Sequence, residues 1–174
     1  MKYKIDIHES FEEGGSAEFY SIKHSSTLGF KQFKNKNWAI DAYTKQKLLS
    51  KLGLAPKVYG EICRLTFDDP LLKDHITGWG FITERAKTVD EKSMRKRLSE
   101  IQNLVNIIHD KTGLKFWDCH YYNIGYVTRN KKSKLVCIDT GKESFDRECN
   151  AWGFSEPGPK CNYCKKYQCK CSIY

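Results

Sequence analysis

The chain lacks several features that would narrow its class at once. No run approaches the ~20 apolar residues needed to span a bilayer. Met1-Lys2-Tyr3-Lys4-Ile5-Asp6 carries no apolar leader, so the expected location is the cytoplasm, with no membrane partner. There is no internal repeat and no low-complexity linker. Acidic residues are the minority: 21 Asp and Glu stand against 30 Lys and Arg, a formal charge of +9. That balance favours anionic partners such as nucleotide phosphates, nucleic acid or acidic protein surfaces, without choosing among them. Proline is scarce, and two of its four copies fall in Trp152-Gly153-Phe154-Ser155-Glu156-Pro157-Gly158-Pro159. The texture changes there, and the expected division is a domain over 1–148 and a tail over 149–174.

At 174 residues, 40% hydrophobic and 13% aromatic, the chain has material for one core. Phe19 to Ile22 and Leu28 to Phe33 read as a strand hairpin. Trp38 to Leu52 reads as a helix with apolar positions at Ala39, Ala42, Tyr43, Leu48, Leu49 and Leu52, stopped by Gly53. Val58 to Leu65 and Gly80 to Thr83 follow as strands. Thr88-Val89-Asp90-Glu91 has the pattern of a capping box opening a second helix. Leu98, Ile101, Val105 and Ile108 form the stripe of that helix, and Gly113 ends it. Asn123 to Val127 and Leu135 to Ile138 then flank a basic turn, Asn130 to Lys134. The order predicts an α+β domain with antiparallel strands.

Three segments carry chemistry. Glu13-Gly14-Gly15-Ser16-Ala17-Glu18 is a glycine turn, either an ordinary hairpin connection or a place where backbone N–H groups approach phosphate. In Leu28-Gly29-Phe30-Lys31-Gln32-Phe33, alternation puts Gly29, Lys31 and Phe33 on one face and Leu28, Phe30 and Gln32 on the other. Lys31 is then a solvated surface lysine, or one that reaches phosphates while Gly29 leaves room for a base. The third segment is Leu114 to Gly125, containing Asp118-Cys119-His120-Tyr121-Tyr122-Asn123, followed by the apolar strand Leu135 to Ile138 and Asp139-Thr140-Gly141. Each Asp alone reads as a cap or a surface carboxylate. Together they supply what phosphoryl transfer needs, a base near the acceptor hydroxyl and oxygen donors for a metal ion.

The arrangement from about residue 10 to 142 resembles the protein-kinase-like superfamily. There an Asp is followed five residues later by an Asn, then by a hairpin, then by an apolar strand ending in Asp-Phe-Gly. Asp118-x-His120-x-x-Asn123 is similar to the loops of small-molecule and atypical branches such as aminoglycoside and choline kinases. The resemblance implies a minimal kinase-like fold: an antiparallel N-lobe sheet with a helix, and a reduced C-lobe. It implies ATP and Mg²⁺ as cofactors, with Asp118 and Lys31 catalytic. Gly14, Gly15, Ser16, Lys31, Glu84 and Ala86 would contact the nucleotide, and Asn123 and Asp139 would hold Mg²⁺. Gly80-Phe81-Ile82-Thr83-Glu84-Arg85-Ala86 is similar to the strand and hinge that hold adenine.

The sequence also departs from that pattern. Lys45 and Gln46 stand where a helix Glu would pair with the strand Lys, and Asp41 is a turn earlier. Trp117 replaces the Arg that reads a phosphorylated activation loop. Only 33 residues follow Gly141. The implied function is an ATP-dependent phosphotransferase acting on a protein hydroxyl. The alternative is a pseudokinase or interaction module that binds a partner protein.

Five of the eight cysteines lie after residue 148. Cys161-x-x-Cys164 and Cys169-x-Cys171 can supply four thiolates to a structural Zn²⁺, with Cys149 in reserve; disulfides or a reduced tail are the other readings. The tail's lysines and tyrosines could bind nucleic acid or dock on a protein. Cys63, Cys119 and Cys137 read as packed thiols, and Glu91 to Arg97 as a solvated basic face.

Overall fold

The structure is a computed structural model that describes residues 5–13, 17–69 and 74–145. It is mixed α and β with antiparallel sheets, and it divides into two compact units, Met1–Ala86 and Lys87–Tyr174. The expected boundary between 148 and 149 lies outside the described residues.

The first unit holds strands β1 (Ile5–Glu13), β2 (Ala17–Ile22) and β3 (Ser25–Phe33), helix α1 (Lys36–Lys51), and strands β4 (Val58–Asp69) and β5 (Asp74–Glu84). The sheet runs β1-β2-β3-β5-β4, all pairs antiparallel. β1 is absent from the sequence reading, because its charged residues give no clean alternation. β2 turns into β3 through Lys23 and His24, the latter at φ 63°. Directly opposite residues share a face, so Phe19, Lys31 and Phe81 form one cross-strand row and Ala17, Phe33 and Trp79 the next. α1 covers this face. Asn35 caps it by accepting from the N–H groups of Asn37 and Trp38, and Ala39, Ala42 and Tyr43 pack on Phe33 and Phe81. The Tyr43 ring meets Phe81 edge-on at 5.4 Å.

Two of the apolar positions assigned to α1 face outward instead: Leu48 and Leu52 are exposed, while Gln46 is buried. Gln46 earns its place by donating to Thr83 Oγ1 at 2.6 Å and to the Pro56 carbonyl at 3.2 Å.

The second unit holds β6 (Lys87–Thr88), α2 (Glu91–Lys96), α3 (Leu98–Thr112), β7 (Ile124–Arg129), β8 (Lys132–Cys137) and the single turn α4 (Lys142–Phe145). Its sheet is β6-β7-β8. Asn130 and Lys131, at φ 51° and 61°, make the two-residue turn between β7 and β8, the geometry that matches strand twist.

Two expectations are corrected here. Thr88 is not a helix cap but a strand residue paired with Gly125. Asp90 caps α2 instead, accepting from the Ser93 N–H at 2.8 Å and the Ser93 hydroxyl at 2.6 Å, and these two bonds hold its carboxyl below the usual range. The single second helix is also two helices, broken at Arg97 (φ −119°, ψ 22°). At the break Arg97 pairs with Glu100 at 3.0 Å and lies over the Tyr126 ring. Leu98 is exposed, whereas Ile101, Leu104, Val105 and Ile108 are buried and Gly113 at φ 72° closes the helix.

Candidate functional site

Lys31 is set by the strand alternation on the helix-covered face and is only 8% exposed. It is therefore not a solvated surface lysine. Its ammonium lies 5.6 Å from the centroid of the Phe33 ring, two residues along the same face. Gly29 shares that face, but a Cβ there would come within 2.1 Å of the Phe19 ring. The space that Gly29 opens is thus taken by Phe19, which corrects the expectation that it leaves room for a base. Asp41, the one acidic residue of α1, pairs with Lys45 one turn on.

At the end of β5, the Glu84 N–H donates to the Lys57 carbonyl at 2.8 Å, and the Glu84 carboxylate accepts from the Lys57 N–H at 3.0 Å. Arg85 N–H donates to the Thr27 carbonyl at 2.7 Å. Ala86 is the last residue of the first unit. Gly14, Gly15 and Ser16 lie outside the described residues; the strands on either side pair with Glu13 opposite Glu18. An open depression at the β2–β3 turn, lined by Lys23, His24, Ser26 and Arg85 among others, takes in Arg85 of the hinge-like segment but neither Lys31, Glu84 nor Ala86.

In the second unit the structure brings Asp118, Asn123 and Asp139 into one hydrogen-bonded cluster. Asp118 and Asn123 are each buried. The loop from Leu114 to Asn123 is anchored by the Phe116 ring, stacked on Phe145 at 5.1 Å, and by buried Trp117, whose N–H donates to the Ser144 carbonyl at 3.0 Å. Two short turns follow: His120 N–H donates to the Asp118 carbonyl at 3.1 Å, and Asn123 N–H to the His120 carbonyl at 2.9 Å. They fold the five-residue spacing back on itself. Asn123 Nδ2 thereby reaches both the Asp118 carbonyl at 2.9 Å and Asp118 Oδ2 at 3.0 Å. His120 Nε2 lies 3.1 Å from the same amide nitrogen and 3.4 Å from Asp118 Oδ2.

One oxygen of Asp118 is thus held, and the other, Oδ1, is buried with no hydrogen-bond partner. The amide nitrogen of Asn123 is committed, which leaves its Oδ1 as the group not engaged in these bonds. The Asn123 carbonyl accepts from Ile138 N–H at 3.0 Å and Asp139 N–H at 3.4 Å, tying the loop to the end of β8. Asp139 Oδ1 accepts from Gly141 N–H at 3.1 Å and Oδ2 from the Ser144 hydroxyl at 2.6 Å.

Ser144 was not singled out from the sequence. It follows Asp139 by five positions, inside a helix of one turn too short to show any periodicity.

The cysteines divide. Cys137 is buried and its thiol donates to the Asp139 carbonyl at 3.0 Å. Burial and, secondarily, the Asp118 carboxylate push the Cys119 thiol up to about 12, so it stays protonated at neutral pH. Cys63 is exposed in β4, the edge strand of the sheet, which corrects its reading as a packed thiol. Cys149, Cys161, Cys164, Cys169 and Cys171 lie outside the described residues. Among the described residues no group of three or more His, Cys, Asp and Glu side chains is assembled to hold a metal ion.

Compared with known proteins, the chain matches no family model and no curated protein.

Proposed function

We propose that the chain is an ATP-dependent phosphotransferase of minimal kinase-like fold whose acceptor is a protein hydroxyl. The observation that carries this reading is the Asp118–Asn123–Asp139 cluster with one buried, unpartnered carboxylate oxygen. Such an oxygen is costly unless something meets it, and an acceptor hydroxyl is a group of the right kind. Asp118 Oδ1 would orient that hydroxyl and take its proton as the hydroxyl oxygen bonds to the γ-phosphorus of ATP and the bond from that phosphorus to the bridging oxygen breaks, releasing ADP. Asn123 fixes the other carboxylate oxygen, so the base is held in one orientation. The five-stranded antiparallel sheet with its single helix is in keeping with the small lobe that the resemblance implies, with Lys31 assigned to the phosphates.

The donor set fits Mg²⁺. Asn123 Oδ1 and the Asp139 carboxylate are hard oxygen donors, and two protein ligands suit an ion that takes its remaining ligands from phosphates and water. When bound, MgATP supplies the phosphoryl group and the neutralising charge. The Zn²⁺ proposal for Cys161, Cys164, Cys169 and Cys171 rests on spacing alone, and elemental analysis of protein purified without added metal tests it.

A second reading, a pseudokinase or interaction module, is favoured by Gln46 in the place of a helix acid, by the Asp41–Lys45 pair and by Phe19 over Gly29. Incubation with labelled ATP, Mg²⁺ and a cell extract decides between them. Transfer that Asp118→Asn abolishes supports the enzyme; nucleotide binding without transfer, or partner capture indifferent to Asp118→Asn, supports the module. Binding to nucleic acid through the basic tail would show as a steep salt dependence in filter binding.

A further inference from the structure

We propose that the depression at the β2–β3 turn is a binding site for a small phosphate ester with a polar body, of the sugar phosphate class. The residues that line it all belong to the first unit, so it is a site additional to the Asp118 cluster and does not rest on the phosphotransferase reading.

Two distant parts of the chain assemble it. Lys23 and His24 form the turn, Ser25 and Ser26 begin β3, and Arg85 follows the end of β5. The Arg85 N–H donates to the Thr27 carbonyl at 2.7 Å, which fixes residue 85 against the start of β3. Lys23, His24 and Arg85 are basic, and no Asp or Glu is among the described residues of the lining. The ion pairs among the described residues involve neither Lys23 nor His24. The local field is therefore positive and selects an anion.

Hydroxyl groups select the kind of anion. Ser25 Oγ accepts from the Leu28 N–H at 3.1 Å, so its hydroxyl hydrogen is left for another acceptor. Ser21 is buried and its hydroxyl has no hydrogen-bond partner, an unfavourable arrangement that an incoming oxygen relieves. A phosphate monoester brings about two negative charges and three acceptor oxygens. That suits Lys23, Arg85, an imidazole and hydroxyl donors better than a carboxylate, with its single charge, does. The volume is about 480 Å³, within the range of small-molecule sites, whereas one water takes about 30 Å³. A bare phosphate would leave most of that space unfilled. A single aliphatic side chain is among the described lining residues, so the body that fills the rest is polar.

The turn gives an independent sign. His24 has φ 63°, a region where glycine carries no steric cost and a residue with a Cβ does. An imidazole thus stands at the edge of the depression in a position where glycine would make the steadier turn. Binding can for this reason be separated from folding: His24→Gly removes the side chain and relaxes the backbone.

The experiment is isothermal titration calorimetry of the full chain with ribose 5-phosphate at low ionic strength, with ribose and inorganic phosphate as comparison titrants. Wild type should bind ribose 5-phosphate saturably, inorganic phosphate more weakly and ribose not at all. Lys23→Ala and Arg85→Gln should each weaken binding about tenfold, as loss of a hydrogen bond to a charged group does. His24→Gly should weaken it about fivefold, with a thermal midpoint equal to or above that of wild type. Lys23 and His24 are exposed turn residues, so their variants report on binding even where Arg85→Gln does not fold. No saturation with ribose 5-phosphate overturns the proposal, as does binding unchanged in both Lys23→Ala and His24→Gly. Ribose that binds as tightly as its phosphate overturns the recognition of phosphate, and inorganic phosphate that binds as tightly as the ester overturns the sugar phosphate as occupant. A phosphoserine peptide that binds more tightly than ribose 5-phosphate assigns the site to a protein partner and overturns the small ligand.

Discussion

The two units bury polar atoms in different ways. Among the described residues, the buried side-chain oxygens without partners in the first unit are those of Ser21 and Gln32, both on uncharged groups; in the second, it is Oδ1 of Asp118. A neutral orphan costs about 1–3 kcal/mol, and an ionised one costs more. The first unit can carry its cost on a broad base of ladder hydrogen bonds and an aromatic core. The second has a three-stranded sheet and places the more expensive group in a loop, with Asn123, His120 and Ser144 around it. The smaller framework thus holds a carboxylate with one oxygen bonded to Asn123 and the other without a hydrogen-bond partner.

Asp118→Asn is expected to have the largest effect. It should reduce phosphoryl transfer about 10²–10⁴-fold, as removal of a general base does. It should not lower the thermal midpoint, since the buried carboxylate is replaced by a neutral amide. Transfer unchanged in a folded variant would remove the contrast between the units.

Glycine substitutions probe the first unit. A Cβ at Gly80 would fall 2.1 Å from the Lys31 carbonyl oxygen, a backbone atom, and 2.7 Å from the Phe30 ring. Gly80→Ala should therefore cost about 3 kcal/mol or more in urea unfolding. At Gly29 the nearest atoms belong to the Phe19 ring, a side chain that can turn, so Gly29→Ala should cost about 1 kcal/mol. Equal costs would show that the sheet gives way as easily as a side chain.

Gln46→Glu tests whether a helix acid can be restored. The carboxylate loses the amide donor to Pro56 and faces a carbonyl, so at pH 7 the variant should be about 2 kcal/mol less stable. The penalty should shrink as pH falls and the carboxyl takes up a proton. A gain in stability at pH 7 would mean that a cation waits at this position.

The smallest effect is on thiol chemistry. With a thiol raised to about 12, Cys119 should resist alkylation at pH 8, along with buried Cys137, while exposed Cys63 is modified first. Peptide mapping after brief iodoacetamide treatment reads this order. Early labelling of Cys119 would show that the loop opens.

Much of this was legible in the chain. The two-residue period of Leu28 to Phe33 assigned its faces correctly, because strand geometry alone sets them. The five-residue spacing from Asp118 to Asn123 and the apolar strand before Asp139 led to three residues that do meet. Local patterns misled where a residue's environment is supplied by distant chain. Gln46 is buried because Thr83 and Pro56 offer it acceptors, and Lys31 because α1 lies over its row. Thr88 lost its capping role because β7 offered it a strand partner.

The sequence by itself determined the mixed α and β character, the alternation of β3, the stop at Gly113 and the three side chains on which chemistry could rest. These follow from backbone geometry and from residue types at short spacing, which act within a few positions. Tertiary structure alone decided that Phe19 fills the space above Gly29, that the helix breaks at Arg97, and that Ser144 joins Asp139 to the Asp118 loop. Each of these depends on which atoms from remote segments arrive together, and hydrogen bonds and close packing act only at contact.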